Sequence, residues 1–280
     1  MHAIGIDIGG TAIKLGAVRD GCEVVWRSVC PTDKSPEAAA KSIERAVRQA
    51  WTEYPGAPVG MACAGWVLNG VISADNLGWY GVPLGKMLEK RLDVSVPSGN
   101  DAHLAMLAEW RYGALAGQNH AVYLTLGTGV GGGLIVGGRP YRGERNTGAE
   151  LGHMITHAGG LQCSCGQQGC YEMYASAGAL SRLAGGMPAR KVVEAVRAGG
   201  MRSAWQAYLA EICVGLVSLM SIFAPTVIAL GGGISGAGSL LLDGVRAQLD
   251  ITPGYRRLHG EVRVELARFA NDAGVIGAAA

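Results

Sequence analysis

Twice along this chain an apolar strand runs into a Gly and Thr turn and reverses into a second strand. In the first instance Ile4, Ile6 and Ile8 lead into Gly9-Gly10-Thr11 and then Ile13 to Val18; in the second, Val122 to Leu126 leads into Gly127-Thr128-Gly129 and then Gly132 to Val136. An apolar run on each side of a tight glycine turn is a hairpin signal. Its recurrence predicts a weak internal duplication. The expected fold is therefore α/β, with two strand-rich, helix-covered units spanning 1–117 and 118–280. No low-complexity linker separates them, so they are expected to pack closely.

The rest of the pattern fills in each unit. Asp20-Gly21 marks another hairpin turn before Val24 to Trp26, so three antiparallel strands open the chain. Ser35-Pro36 reads as an N-cap followed by proline at the first helical position, with Ile43, Val47, Ala50 and Trp51 at helical spacing behind it. A buried strand over Val59 to Ala64 is followed by a polar loop, a short helix near Leu84 to Leu92, a strand over Val94 to Pro97 and a helix opening at Asp101. In the second unit, Trp205, Leu209, Ile212, Leu216, Leu219 and Phe223 alternate spacings of four and three, which predicts a core or interdomain helix. Thr226 to Leu230 and Val262 to Ala267 read as strands, and Asn271 to Ala280 as a closing helix.

Composition narrows the function classes. With 49% hydrophobic and 16% charged residues among 280, the chain is globular rather than disordered or fibrous. A net charge of +2 gives no footprint for nucleic acid. No basic leader precedes Ile4, and the apolar stretch from Ile212 to Phe223 is too short for a bilayer and contains Ser218 and Ser221, so the expectation is a cytoplasmic protein with no membrane partner. Of seven Cys, Cys22, Cys30, Cys63 and Cys213 read as small buried hydrophobes. The other three belong to a cluster.

That cluster is the strongest chemical signal. Glu150-Leu-Gly-His153 is followed, after nine residues, by Cys163-x-Cys165-Gly-x-x-Gly-x-Cys170-x-Glu172. Zn²⁺ takes four tetrahedral ligands, and three thiolates with one imidazole close that shell without leaving room for a reactive water. His153, Cys163, Cys165 and Cys170 therefore read as a structural Zn²⁺ site.

The glycine runs point to phosphate. Gly127-x-Gly129-x-x-Gly132 and Gly231-x-Gly233-x-x-Gly236 both match a dinucleotide pattern, but the first leads into a strand and the second has no acid-ended strand after it. What survives is a nucleotide site in which glycines at strand ends let backbone N–H groups approach oxygen. Asp7, on the first strand before the Gly pair, suits either Mg²⁺ held through water or a hairpin side-chain cap. Asp101, at a strand-to-helix junction, suits either a helix cap or a general base on a substrate hydroxyl. On position alone the cap is the simpler role.

Taken together these residues resemble the ROK family (repressor, open reading frame, kinase), which includes glucokinase-like bacterial sugar kinases of the actin and hexokinase superfamily. The resemblance rests on Asp7-Ile-Gly-Gly-Thr11, Asn76-Leu-Gly-Trp79, Asn100-Asp101-Ala102, Leu126-Gly-Thr-Gly-Val-Gly-Gly132, the His and Cys cluster, and Gly231-Gly232-Gly233. It implies a duplicated actin/hexokinase-like, ribonuclease H-like fold of two lobes with a central cleft, and ATP-dependent phosphorylation of a hexose. Asp101 is implied as the base on the 6-hydroxyl, and Gly65, Asn76, Asn100, Glu150, His153 and Glu172 as sugar ligands. Asp7, Gly9, Gly10, Thr11 and Lys14, with Gly127, Thr128 and Gly129, would serve the phosphates and Mg²⁺, and Gly231 to Gly233 the nucleotide. His153 would bind zinc through one ring nitrogen and face the sugar with the other.

Asn76-Leu-Gly-Trp79 looks like the glucokinase form of its segment, so glucose is the expected hexose, with N-acetylmannosamine, allose or fructose as alternatives and a homodimer as the expected assembly. A non-catalytic sugar-binding member is a further alternative. Repressor members carry a helix-turn-helix domain first, for which the strand beginning almost at Met1 leaves no residues. Three departures stand out: Ala64-Gly-Trp-Val-Leu68 replaces a Pro-Gly-Pro-Val-Asp-like run, His103 replaces an Asn, and Ala149 replaces a Gly.

Overall fold

The structure is a computed structural model that describes residues 1–144 and 148–280. The chain forms two compact units: Met1–Tyr112, Arg142–Gly148 and Asn271–Ala280 make the first, and Gly113–Tyr141 with Ala149–Ala270 the second.

In the first unit β1 (His2–Ile8), β2 (Ala12–Arg19) and β3 (Glu23–Pro31) form an antiparallel meander, and β4 (Val59–Cys63) and β8 (Ser98–Asn100) extend it in parallel, giving the order β3-β2-β1-β4-β8. The β2–β3 turn places Asp20 at φ 49° and Gly21 at φ 80°, the two left-handed residues that a tight hairpin turn of strand-like twist requires. On one face Ile4, Ile6 and Ile8 are fully buried and share a core with Ile43 and Val47 of α1 (Pro36–Glu53) and with α2 (Leu84–Leu92). Ser35 caps α1 through its hydroxyl, which accepts from the Ala38 N–H at 3.4 Å. Between β4 and α2, β5 (Trp66–Leu68), β6 (Val71–Ala74) and β7 (Trp79–Val82) form a separate antiparallel sheet where the sequence suggested a polar loop. Ile72, Ala74 and Trp79 are buried in strands of only four residues each, too brief a pattern to read as alternation.

The strand expected over Val94 to Pro97 falls instead at Ser98–Asn100. Pro97 has no N–H to contribute to a ladder, but its carbonyl accepts from the Met61 N–H at 2.9 Å, and pairing begins there. It runs directly into α3 (Asp101–Tyr112).

The second unit repeats the plan. β9 (Ala121–Leu126), β10 (Val130–Val136) and β11 (Arg139–Tyr141) are antiparallel, and β12 (Val227–Gly231) and β13 (Arg263–Leu266) continue in parallel, in the order β11-β10-β9-β12-β13. Helices α4 (Glu172–Ala175), α5 (Ala177–Leu183), α6 (Ala189–Arg197), α7 (Arg202–Phe223), α8 (Ser239–Ile251) and α9 (Tyr255–His259) accompany the sheet. The expectation that the apolar stretch ending at Phe223 is too short for a bilayer is corrected: α7 has 22 residues, long and apolar enough by length and composition to cross one. Here it is a core helix, with Trp205, Tyr208, Ile212, Leu216 and Leu219 buried in the same cluster as Val122 and Leu124 of β9 and Ile228 and Leu230 of β12.

The chain does not divide at 117/118 throughout. Its last helix, α10 (Ala273–Ala279), returns to the first unit and lies on the face of β1 and β4 opposite the Ile residues. Gly5 and Gly60 are what admit it, since a Cβ on either would fall on the Val275 or Ala278 carbonyl. Of the four Cys read as buried, Cys63 and Cys213 are, whereas Cys22 and Cys30 are only half-buried on and beside the edge strand β3.

Candidate active site

In the first unit the end of β1, the start of α3 and the Asn76 segment converge. Asn100 rather than Asp101 caps α3: its Oδ1 accepts from the His103 N–H at 3.0 Å, and its Nδ2 donates to the Gly65 carbonyl at 2.9 Å. Asp101 is thereby the first helical residue. Its carboxylate accepts from the Ala102 N–H at 2.8 Å, and burial outweighs that bond, lifting the carboxyl above the ordinary range. Asp7 lies 3.8 Å from the Lys14 ammonium, its partner across the β1–β2 ladder. Burial pushes Asp7 up to about 6, Lys14 opposes this, and the negative charge of Asp101 adds to it. Two buried acids that raise each other's cost of ionisation, at the ends of a strand and a helix, make this corner a candidate for proton chemistry.

The Gly9–Thr11 turn is pinned by Thr32, whose hydroxyl donates to the Gly9 carbonyl at 2.7 Å. The Gly9 N–H donates to Ala12 and the Gly127 N–H to Gly129, so these two residues shape their turns and do not offer donors of their own. The Asn76 carboxamide rests against Gly10, its Nδ2 3.1 Å from where a Cβ would stand. Buried Leu77 and Trp79 anchor that segment, the indole donating to the Lys34 carbonyl at 2.8 Å.

In the second unit His153, Cys163, Cys165 and Cys170 come together, their ligand atoms all within 4.8 Å of one another. Cys163 Sγ is 3.8 Å from His153 Nδ1, and the Cys165 and Cys170 sulfurs are 3.6 Å apart. Zn–S bonds of about 2.3 Å at tetrahedral angles set S···S edges of about 3.8 Å, so the donor set fits Zn²⁺. Nδ1 faces the thiols, leaving Nε2 as the nitrogen for any other contact. Two residues beyond the last thiol, Glu172 Oε2 accepts from the Val130 N–H at 2.9 Å and so ties the cysteine loop to the Gly127–Gly129 turn. Ala149, before Glu150, sits at φ 64°, a left-handed conformation that glycine adopts without strain and alanine does not.

A cavity of about 500 Å³ opens beside that turn, with Gly127, Thr128 and Gly233 among its lining. Gly129, Gly231 and Gly232 are not among its lining; Gly231 packs on Tyr123 and Gly232, at φ 80°, on Leu126. The opposite wall is α6, through Ala189, Val193, Glu194 and Arg197, which the sequence reading missed altogether. Arg197 Nη2 donates to the Gly236 and Ala237 carbonyls at 3.2 and 3.1 Å, holding the wall that follows Gly233. No spacing rule links a surface helix to a glycine run this far along the chain.

Compared with known proteins, the chain matches the ROK family model over residues 3–280. It is 33% identical to the glucokinase of Streptomyces coelicolor across 99% of this chain and 96% of that protein. It is 30% identical to an N-acetylmannosamine kinase of Haemophilus influenzae across 100% and 94% respectively. Among solved structures it is similar to a ROK family glucokinase from Streptomyces griseus in complex with glucose and AMPPNP, with TM-score 0.86, 33% identity and coverage of 100% of this chain and 98% of that one. The repeated sheet order is that of the actin/hexokinase-like α/β fold of such kinases. With both the glycine turns and the histidine–cysteine loop inside the matched span, the chain belongs to the ROK family.

Proposed function

We propose that this protein transfers the γ-phosphoryl group of ATP to the 6-hydroxyl of a hexose, with glucose preferred. The observation that carries the reading is that Asn100 takes over the capping of α3, which leaves a half-buried Asp101 carboxylate of raised pKa at a rigid strand end. Asp101 accepts the proton of the hydroxyl as its oxygen bonds to phosphorus, the bond to the bridging oxygen breaks, and ADP leaves with the electron pair. A raised pKa makes Asp101 the better base.

Gly65, Asn76, Asn100, Glu150, His153 and Glu172 are the groups proposed to hold the sugar, and the cavity at Thr128 and Gly233 is proposed to take the nucleotide. Mg²⁺ would offset phosphate charge and would be held on the Asp7 side, where a carboxylate stands next to the Gly9–Thr11 turn. Zn²⁺ on His153, Cys163, Cys165 and Cys170 would be structural and would orient the histidine ring. Glucose is favoured by the Streptomyces coelicolor glucokinase relative, while the Haemophilus influenzae relative keeps N-acetylmannosamine as the second reading.

The test is incubation with ATP, Mg²⁺ and separate hexoses, reading ADP release and the phosphate ester by ³¹P NMR. Glucose 6-phosphate is the expected product. Turnover of N-acetylmannosamine alone would install the second reading, and sugar binding by calorimetry without any turnover would replace both with a binding protein.

A further inference from the structure

Nothing in the backbone asks for glycine at position 274. It lies inside α10, it does not carry a positive φ, and alanine is the better helix former. What a side chain there would meet is Asp7: a Cβ would stand 2.8 Å from the carboxyl carbon and 2.9 and 3.0 Å from its two oxygens. These are its three nearest atoms. The other glycines at this seam face something different. A Cβ at Gly5, Gly60 or Gly277 would fall on a main-chain carbonyl of a packed helix, which cannot step aside without moving the helix. A carboxylate at the end of a side chain can rotate away.

Asp7 is otherwise placed by its own strand and its ladder partners. It stands on the α10 face of β1, beside Ala62 of β4, with the Lys14 ammonium 3.8 Å off. We propose that Gly274 is a positioning residue: by leaving room for the Asp7 carboxylate it lets the C-terminal helix fix where that acid stands beside the Gly9–Thr11 turn. This rests on the reading of Asp7 as the acid on the phosphate side.

The test is Gly274→Ala alone and in an Asp7→Ala background, with Gly277→Ala as a packing comparison. Gly274→Ala is expected to lower turnover about 100-fold, the effect of misplacing a group of the site by roughly 1 Å, and to weaken Mg²⁺-AMPPNP binding while the sugar dissociation constant holds. In the Asp7→Ala background the same substitution is expected to change nucleotide binding no further, and any melting-midpoint loss seen in the single variant is expected to be recovered, because the methyl then has space. Gly277→Ala should lower the midpoint whatever occupies position 7. Wild-type turnover in Gly274→Ala, or a midpoint loss that persists without Asp7, would overturn the proposal. Should no hexose be turned over, the kinase reading fails while the midpoint comparison still decides the role of Gly274.

Discussion

At the scale of single residues, the decisive exchange is between Asn100 and Asp101. Position along the chain made Asp101 the natural cap, yet the Asn100 carboxamide occupies that role and also reaches the Gly65 carbonyl. Asp101→Asn is therefore expected not to lower the melting midpoint, and at neutral pH to raise it because burial disfavours the charged carboxyl, while kcat falls by about 10²- to 10⁴-fold and the sugar dissociation constant is little altered. Unchanged kcat in that variant would end the general-base assignment. Asn100→Ala, by contrast, would remove both the capping bond and the bond to the Gly65 carbonyl. Asp7 makes a prediction about pH. Its pKa rises from 3.8 unfolded to about 6 folded, so the folded state holds the proton more tightly. The associated stability is full below about pH 4 and is lost as pH rises through 6. Asp7→Asn should then stabilise the protein at pH 7 by on the order of 2–3 kcal/mol relative to wild type, and by nearly nothing at pH 4, while turnover disappears. Denaturant titrations at the two pH values measure the difference, and an equal gain at both would refute it.

At the scale of elements, the loop from His153 to Glu172 links two kinds of chemistry. Its cysteines converge on His153, and its last acid bonds the Val130 N–H at the end of the phosphate-type turn. Loss of the ion should therefore be felt at that turn as well as in the loop. Cys165→Ala removes the one exposed thiol of the set and is expected to abolish stoichiometric zinc, read by elemental analysis, and to weaken sugar and nucleotide binding together. A full zinc complement in that variant would contradict the ligand assignment. The convergence itself was legible in the sequence because four donors lie within a short stretch. The Glu172 bond was not, because β10 and α4 are far apart in sequence.

At the scale of the whole chain, α10 closes a sheet begun at the N-terminus, and the closeness of that contact is set by glycine. Gly60→Ala would drive a methyl into the Ala278 carbonyl, where neither partner can yield, and an overpacking cost of about 1–3 kcal/mol or more is expected from thermal unfolding, with no change in metal content. A midpoint equal to wild type would show that the helix can lift off the sheet without loss. The hairpins, the duplication, the long core helix and the metal-type cluster were all readable from residue order, since each depends on periodicity or on donors close together along the chain. Tertiary structure alone decided that Asn100 and not Asp101 caps α3, that α6 and Arg197 wall the cavity at Thr128 and Gly233, and that the C-terminal helix returns to sit against Asp7. The cap turns on which of two adjacent side chains is held by the distant Gly65 carbonyl, and the other two facts join segments far apart in the chain; local pattern carries no information about which distant backbone will come within contact of a given side chain.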